Sequence, residues 1–252
     1  MLSDAELERY ARHIVLREIG GAGQLQLKRS TIVIIGAGGI GSPAIQYLAA
    51  AGIGRLVLID DDVVEPSNLQ RQTIFATADR GRPKVTAAAD RAMAINPQVA
   101  VDIHQRRVAA DNVAALIAGA DAVIDGCDNF ETRLLVADAT QAAKVPLISA
   151  AVDQFEGQLA VYRGWQADKP CYRCFVGDDP ARADRSCADV GILGPVTGIL
   201  GSLAALEAIR AVVPFGEDSA GTMLLADLLS LRFRTLRLPK DPGCSACGQS
   251  AV

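Results

Sequence analysis

Three features are scarce in this sequence of 252 residues: an excess of basic charge, histidine, and long uncharged apolar runs. Its 25 lysines and arginines are outnumbered by 29 aspartates and glutamates, which gives a formal net charge of -4. Nucleic-acid binding depends on a sustained basic field, and this chain has none. We therefore expect no DNA or RNA partner.

Histidine, the commonest acid or base near neutral pH, occurs only twice. His13 and His104 fall on a predicted helix and a predicted strand, where most histidines are structural. An oxidoreductase would therefore lack an obvious proton donor or acceptor in this chain.

The usual signals for export and for a membrane span are also missing. Asp4, Glu6 and Glu8 stand where an export signal needs basic residues. The uncharged stretch Val190–Leu206 is shorter than the ~20 residues that a bilayer requires, and it contains Pro195. The sequence thus predicts a cytoplasmic protein without a membrane partner, in which most of the cysteines are reduced.

What the sequence does contain is a half-apolar, globular composition with alternating strand-like and helix-like segments. An amphipathic helix is predicted first, over Ser3–Glu18. Short apolar runs typical of strands follow at Thr31–Ile35, Arg55–Ile59, Val99–Ile103, Ala120–Ile124 and Val145–Ser149. Helical segments separate these runs at Ile40–Ala51, Lys84–Ile95, Asn112–Ala118 and Glu131–Ala143. This alternation predicts a parallel sheet with helices on both faces.

The pattern changes in the second half of the chain. Gln158–Tyr162 and Thr222–Arg237 predict antiparallel strands around a long helix at Pro195–Val213, with an inserted loop at Val176–Val190. We therefore predict an α/β fold with a Rossmann-like mixed sheet in one domain, residues 1–252. That domain would comprise an N-terminal helical arm (1–29), a nucleotide-binding half (30–151) and a second half (152–252).

A glycine-rich loop follows the first predicted strand. Gly36, Gly38, Gly39 and Gly41 fit the G-x-G-x-x-G pattern between a strand and a helix, where backbone N–H groups can bind a phosphate. Asp60 ends the next strand, at the offset where a carboxylate can accept hydrogen bonds from ribose hydroxyls. These features fit NAD as well as ATP, and the glycines alone would also fit a simple tight turn.

The polar segment Asp60–Gln72, followed by Arg82-Pro83-Lys84, resembles the signature of the ThiF/MoeB/HesA family, the bacterial relatives of ubiquitin-activating enzymes. The resemblance extends from Arg9-Tyr10-Ala11-Arg12 to the last cysteine pair. It implies an enzyme that uses ATP to adenylylate the C-terminal carboxylate of a ubiquitin-like sulfur-carrier protein ending in Gly-Gly. The second half of the chain would then bind the carrier and a zinc ion.

The resemblance also assigns roles to individual residues. Arg71 and Lys84 would be fixed cations around the phosphates, Asn68 would hold the nucleotide, and Asp60 would bind the ribose. Arg12 matches an arginine that reaches the phosphates of the neighbouring subunit, which implies a homodimer with shared active sites. The ordinary alternative for Arg71 and Lys84 is a solvated loop arginine and a helix-start lysine.

The segment Asp125-Gly126-Cys127-Asp128-Asn129 ends the fourth predicted parallel strand, at the edge where open α/β sheets bind ligands. Asp128 is our candidate Mg²⁺ ligand, because magnesium prefers hard oxygen donors beside phosphates. Asn129 would contact the nucleotide. Family members commonly have Asp-Cys-Thr-Asp-Asn here, so Gly126-Cys127 is a departure. The alternative role for Asp128 and Asn129 is a helix cap.

Four of the six cysteines form two C-x-x-C pairs, Cys171/Cys174 and Cys244/Cys247. Two such pairs can complete a tetrahedral Cys₄ shell, which would make a structural zinc site. The alternative is a redox dithiol, which needs a thioredoxin-like βαβ context.

Cys187 lies in the predicted loop before the long helix. By resemblance it stands where some family members carry a cysteine that links covalently to the carrier, and the alternative is an ordinary loop thiol. No rhodanese-like extension follows the second cysteine pair, so we expect a separate sulfur donor.

The expected reaction needs no general base, since a carboxylate with a pKa near ~4 is already ionised at neutral pH. By resemblance, the carrier would serve molybdopterin synthesis, thiamine thiazole synthesis or another sulfur-transfer route, and the cysteine regions favour the first. Two other functions remain open from the sequence: an NAD-dependent oxidoreductase with a structural zinc, and a non-catalytic nucleotide-binding adaptor.

Overall fold

A computed structural model of the protein describes residues 1–178 and 191–248. Within these ranges the chain forms an eight-stranded mixed sheet with helices on both faces. The strands are β1 Thr31–Ile35, β2 Arg55–Ile59, β3 Ala100–His104, β4 Ala122–Asp125, β5 Leu147–Asp153, β6 Glu156–Tyr162, β7 Thr222–Asp227 and β8 Arg232–Arg237. The helices are α1 Asp4–Arg9, α2 Ala11–Ile14, α3 Gly20–Arg29, α4 Gly41–Ala51, α5 Lys84–Ile95, α6 Val113–Leu116, α7 Phe130–Ala143, α8 Tyr172–Val176 and α9 Gly194–Val212.

The first five strands form the predicted parallel sheet, in the order β3-β2-β1-β4-β5. The order reverses between β1 and β4, and this is where doubly wound sheets open a crevice for ligands. Successive side chains of β1 enter opposite cores: Ile32 and Ile34 pack on one face, Val33 and Ile35 on the other. Both faces are apolar because helices cover both, which explains the continuous β-branched run.

The last three strands continue the sheet in antiparallel order, β5-β6-β7-β8. The predicted antiparallel strands in the second half are therefore confirmed, and a turn after Asp227 divides the segment Thr222–Arg237 into two strands. β8 is the edge strand, and all of its residues are exposed.

The long apolar helix predicted near Pro195–Val213 is α9, Gly194–Val212. Among the described residues it is the one helix that is long and apolar enough to cross a membrane by length and composition. Leu200, Ala204 and Ala208 of α9 are completely buried in the protein core. Its apolar composition therefore serves packing against α4 and the sheet.

The prediction of one continuous helix over Ser3–Glu18 is wrong. The chain forms α1, breaks at Tyr10, and forms the short α2. The Tyr10 ring lies in the space beside Gly52, where an added Cβ would be 2.4 Å from the ring, and its hydroxyl accepts a hydrogen bond of 2.8 Å from Asn96 Nδ2. These tertiary contacts fix Tyr10 in a non-helical conformation and end the helix.

A separate helix, α3, follows as Gly20–Arg29, inside the predicted helical arm 1–29 but beyond the helix predicted at Ser3–Glu18. Its three glycines lower helix propensity. Packing overrides propensity here, because Gly23 lies so close to Val213 that an added Cβ would be 3.0 Å from Cγ1 of that valine.

Candidate active site

A cavity of about 530 Å³ opens at the carboxyl ends of the parallel strands, where the strand order reverses. It is lined by the glycine loop and by charged side chains that follow β2, β3 and β4. The polar and charged lining residues are Asp60, Asp61, Asp62, Arg71, Gln72, Lys84, Arg106, Arg107, Asp128, Asn129, Thr132, Arg133 and Thr197. Most of the predicted site residues therefore share one cavity.

The glycine loop makes a close turn between β1 and α4. Gly36 has a φ of +88°, and its N–H donates a 2.8 Å hydrogen bond to the carbonyl of Ile59. A Cβ on Gly41 would lie 2.0 Å from the carbonyl oxygen of Gly36, so only glycine fits there. A Cβ on Gly39 would lie 2.9 Å from Cγ2 of Thr197, which brings the start of α9 against the loop.

Asp60 is placed to act as an acceptor at the rim of this loop. One carboxylate oxygen accepts a 2.7 Å hydrogen bond from the N–H of Ala37, and the other accepts one of 2.9 Å from the N–H of Asp62. Burial raises the pKa of the Asp60 carboxyl above its ordinary value, although the positive charge of Lys84 opposes the shift.

Lys84 and Arg71 both reach the cavity, but each already has a partner in the chain. Lys84 is only 4% exposed, and its Nζ lies 2.6 Å from a carboxylate oxygen of Asp62. Arg71 donates to Oδ1 of Asn68 at 2.9 Å and to the carbonyl of Ser67 at 3.2 Å. Asn68 is not a lining residue and contacts the cavity through Arg71.

Two cations that the sequence analysis missed, Arg106 and Arg107, also line the cavity. They follow β3 after one intervening residue, Gln105. Their position shortly after a predicted parallel strand could have identified them, because residues that follow parallel strands lie at the same edge of the sheet.

The loop after β4 carries both of its predicted polar residues into the cavity. Asn129 is the N-cap of α7, because its Oδ1 accepts a 2.9 Å hydrogen bond from the N–H of Thr132. The capping role predicted as an alternative is thus confirmed for Asn129. Asp128 is exposed at the cavity wall, where its carboxylate could hold a cation beside a bound phosphate.

Arg133, on α7, is a buried cation that the sequence analysis missed. One guanidinium nitrogen donates to Asp125 and to Ser149 Oγ, both at 3.1 Å. The other donates to the carbonyls of Cys127 and Ala150. Arg133 therefore ties the loop that carries Asp128 to the middle of β5.

Gly126-Cys127, where the sequence differs from the family pattern, affects the packing of the loop after β4. A Cβ on Gly126 would lie 3.2 Å from the Cβ of Ile40, so this glycine lets the loop after β4 approach the glycine loop closely. Cys127 lines the cavity, and burial raises the pKa of its thiol well above the ordinary value. This thiol is therefore protonated at neutral pH.

The four cysteines of the two C-x-x-C pairs meet in a second site. The sulfur distances are 3.9 Å for Cys171 to Cys174, 3.6 Å for Cys171 to Cys244 and 3.3 Å for Cys174 to Cys247, and all four sulfurs lie within 4.8 Å of one another. A tetrahedral zinc with bonds of ~2.3 Å would separate its sulfurs by ~3.8 Å. The four-cysteine cluster therefore fits zinc.

Among the described residues, three predicted residues of the nucleotide site are absent from the cavity lining: Arg12, Gly41 and Asn68. Arg12 is exposed on α2 and is absent from the cavity lining. Cys187 lies outside the described residues.

Comparisons with known proteins agree with this architecture. The sulfur carrier protein adenylyltransferase of Thermus thermophilus is 42% identical and aligns with 96% of this chain and 91% of its own. The molybdopterin-synthase adenylyltransferase of Escherichia coli is 41% identical, with 98% and 99% covered. The crystal structure of E. coli MccB with ATP superimposes with a TM-score of 0.80 at 25% identity, and covers 95% of this chain and 74% of that one. Residues 10–246 match the ThiF family, and the chain belongs to it.

Proposed function

We propose that this protein is an ATP-dependent adenylyltransferase that activates the C-terminal carboxylate of a ubiquitin-like sulfur-carrier protein. The observation that carries the proposal is the cavity at the strand-order reversal, which combines a glycine loop with basic side chains and the carboxylate of Asp128. Relatives that align over nearly their whole length are named as adenylyltransferases of a sulfur carrier protein and of molybdopterin synthase.

The reaction joins two anions, and this explains the composition of the cavity. A carboxylate oxygen of the carrier attacks the α-phosphorus of ATP, the bond from that phosphorus to the bridging oxygen breaks, and pyrophosphate leaves with the electron pair. Arg71 and Lys84, together with Arg106 and Arg107, would stabilise the charge that accumulates. The attacking carboxylate is already ionised, so positioning and charge neutralisation suffice.

The nucleotide would bind with its phosphates at Gly36, Gly38 and Gly39, which line the cavity, and with its ribose at Asp60. Gly41, at the start of α4, would permit the close turn behind them. Asn68 would act by orienting Arg71. Asp128 would hold a Mg²⁺ ion, which would supply positive charge to stabilise the phosphates. Asn129, the N-cap of α7, would hold the loop that carries Asp128 in place.

A homodimer would complete the site, with Arg12 of each protomer serving the cavity of the other. The exposed position of Arg12 on α2 leaves it available to a neighbouring subunit. The cysteine cluster would hold a structural Zn²⁺, because four thiolates close the coordination shell.

The identity of the carrier determines the pathway that the enzyme serves. The names of the relatives give different substrates, a sulfur carrier protein in one and molybdopterin synthase in the other. We favour a carrier for molybdopterin synthesis and keep a thiamine-type carrier as the alternative. A separate protein would donate the sulfur. Cys187 would form any covalent link to the carrier, and adenylylation itself would not need it.

Carrier-dependent exchange of radiolabelled pyrophosphate into ATP tests the proposal. We expect exchange with Mg-ATP and a Gly-Gly carrier from the same genome, and none with the same carrier lacking its final glycine. Stabilisation of the protein by NAD in place of Mg-ATP, without exchange for any Gly-Gly carrier, would instead support an oxidoreductase. Binding of Mg-ATP without exchange would support an adaptor.

A further inference from the structure

A buried ion pair between Asp125 and Arg133 contacts the loop that carries Asp128. Asp125, at the end of β4, is 1% exposed, and one guanidinium nitrogen of Arg133 lies 3.1 Å from a carboxylate oxygen of Asp125. Removing two charges from water costs about as much free energy as their attraction returns, so a buried pair adds little net stability. Stability alone therefore does not account for this pair, and its contacts with the loop indicate another role.

Both partners of the pair bind the backbone of the same residue, Cys127. The second carboxylate oxygen of Asp125 accepts a 3.0 Å hydrogen bond from the N–H of Cys127, and the guanidinium of Arg133 donates to the carbonyl of Cys127. That carbonyl belongs to the planar peptide unit that joins Cys127 to Asp128. The ion pair therefore fixes the peptide plane from which Asp128 extends.

Arg133 also connects this peptide unit to the sheet. Its guanidinium donates to Ser149 Oγ at 3.1 Å and to the carbonyl of Ala150 at 2.9 Å, and both residues lie in β5. β5 is hydrogen-bonded to β4 on one side and to β6 on the other, so it gives the loop a rigid support. These contacts require arginine, because a forked guanidinium presents several donors where lysine has one compact ammonium group.

Few other contacts fix the position of Asp128. It is exposed, and in the part of the chain that the structure describes its carboxylate has no hydrogen bond or ion pair. The cap at Asn129 fixes the chain after Asp128, and the contacts of Arg133 fix the chain before it. The position of the Asp128 carboxylate at the cavity wall therefore depends on these two backbone anchors.

Resting on the proposed function, we infer that Asp125 and Arg133 act together as a clamp on Cys127 that positions Asp128 for its metal ion. Arg133 is thus a positioning residue, which acts through the peptide unit between Cys127 and Asp128. Groups that orient a metal ligand commonly contribute about 10–100-fold to metal affinity. Loss of the clamp should therefore weaken the effect of magnesium on nucleotide binding, while nucleotide binding without magnesium is unchanged.

Calorimetric titration with a non-hydrolysable ATP analogue, with Mg²⁺ and again in buffer without Mg²⁺, tests this inference. The ratio of the two affinities is the magnesium enhancement. Arg133→Lys keeps the charge opposite Asp125 but loses the forked contacts, so the enhancement should fall about tenfold and the affinity without Mg²⁺ should stay the same. A wild-type enhancement in this variant would overturn the inference.

A purely structural role of Arg133 would give a different result. Misfolded protein binds no nucleotide, so it lowers the stoichiometry of the titration and leaves the affinity of the remaining sites unchanged. Asp138→Asn is the matched control, because it breaks the ion pair of another α7 side chain, with Arg173, and Asp138 is absent from the cavity lining. This variant should retain the wild-type enhancement. A tenfold loss in Asp138→Asn would mean that any disturbance of α7 has this effect, and would refute the clamp.

Combined substitutions test the link to Asp128. Asp128→Ala alone should remove most of the magnesium enhancement, and Arg133→Lys added to Asp128→Ala should cause no further loss. If Arg133→Lys instead lowered the enhancement equally in both backgrounds, Arg133 would act independently of Asp128, and the inference would be wrong.

Ser149→Ala is a milder change that decides the question if Arg133→Lys fails to fold. It removes one hydrogen bond of the guanidinium and leaves both charges in place. The enhancement should fall about threefold, with the affinity without Mg²⁺ unchanged. No change in the enhancement would contradict the clamp.

The proposed function and the clamp fail in different ways. If the wild type binds no nucleotide, or if Asp128→Ala keeps the full magnesium enhancement, the proposed site itself is wrong and the clamp falls with it. If Asp128→Ala loses the enhancement and Arg133→Lys keeps it, only the role of Arg133 is wrong.

Discussion

The nucleotide cavity and the cysteine cluster are both built from residues distant in the sequence, yet they differ in what they leave available. The cavity keeps polar groups unpaired: Gln72 Oε1 has no hydrogen-bond partner in the part of the chain that the structure describes, and Asp128 is exposed at the wall. In the cluster each sulfur lies within 4.8 Å of the three others. A site with unpaired polar groups suits a substrate that binds and dissociates, whereas four mutually adjacent thiols suit a permanently bound metal ion.

The two sites should therefore affect different properties: the cavity should determine catalysis, and the cluster should determine stability. Changes in the cavity should alter rates and affinities while the fold persists, because the residues concerned line an open cavity and Asp128 is exposed. Changes in the cluster should alter the stability of the second half of the chain, since Cys244 and Cys247 tie the C-terminal segment to α8.

Removal of the proposed zinc should have the largest energetic effect. Structural zinc sites contribute on the order of 10 kcal/mol of apparent binding energy, so Cys244→Ser or a strong chelator should sharply lower the thermal midpoint of unfolding. Zinc content and the unfolding midpoint are measured together. Cys127→Ser, outside the cluster, should keep its zinc, and purified wild-type protein without zinc that is indifferent to chelators would contradict the assignment.

Asp128→Ala should lower the rate of pyrophosphate exchange by about 10²–10³-fold, because it removes the proposed ligand of a Mg²⁺ ion that would stabilise the developing charge. The unfolding midpoint should barely move, since the side chain is exposed. Asp111→Ala, which removes another exposed carboxylate outside the cavity lining, is the matched control and should exchange normally. An Asp128→Ala enzyme with wild-type exchange rates would exclude this role.

Asp60 should produce the smallest effect, a pH dependence of nucleotide binding. Its pKa is raised by burial, so the carboxylate becomes protonated at a higher pH than an ordinary aspartate and loses its capacity to accept ribose hydrogen bonds. Affinity for a non-hydrolysable Mg-ATP analogue should therefore fall as pH drops through this raised value. Calorimetric titration of Asp60→Asn should give weaker affinity without that slope, and pyrophosphate, which has no ribose, should bind both proteins equally.

The same pKa shift predicts the opposite sign for stability without nucleotide. A carboxyl group whose folded pKa is raised favours the folded state below its unfolded pKa, and this contribution is lost as pH rises through the folded pKa. An Asp60→Asn variant that unfolds with the same pH dependence as the wild type in this acidic range would contradict the assigned burial effect.

Local patterns in the sequence predicted the parallel strands and the glycine loop, because both depend on nearest neighbours. The apolar run Thr31–Ile35 becomes β1 with unchanged bounds, and the long helix is displaced by one residue at each end. Arg133 could not be predicted in this way. Charged residues on a helix usually face solvent, but Arg133 instead contacts Ser149 and Ala150 on β5.

The prediction of one continuous helix in the N-terminal arm failed for a related reason. Tyr10 breaks a well-patterned helix because its ring fits beside Gly52 and its hydroxyl bonds to Asn96, and neither residue is near it in the sequence. Gln72 was quoted within a motif, but its unpaired oxygen emerges only when burial is known. Residues at the site can thus be identified by type, while their tasks depend on long-range packing.

The most direct measurement for the central claim is mass spectrometry of the carrier after incubation with the enzyme and Mg-ATP. We predict a carrier that gains the mass of AMP at its C-terminal glycine and returns to its original mass when pyrophosphate is added. A carrier that remains unmodified, although the protein is folded and binds Mg-ATP, would contradict adenylylation.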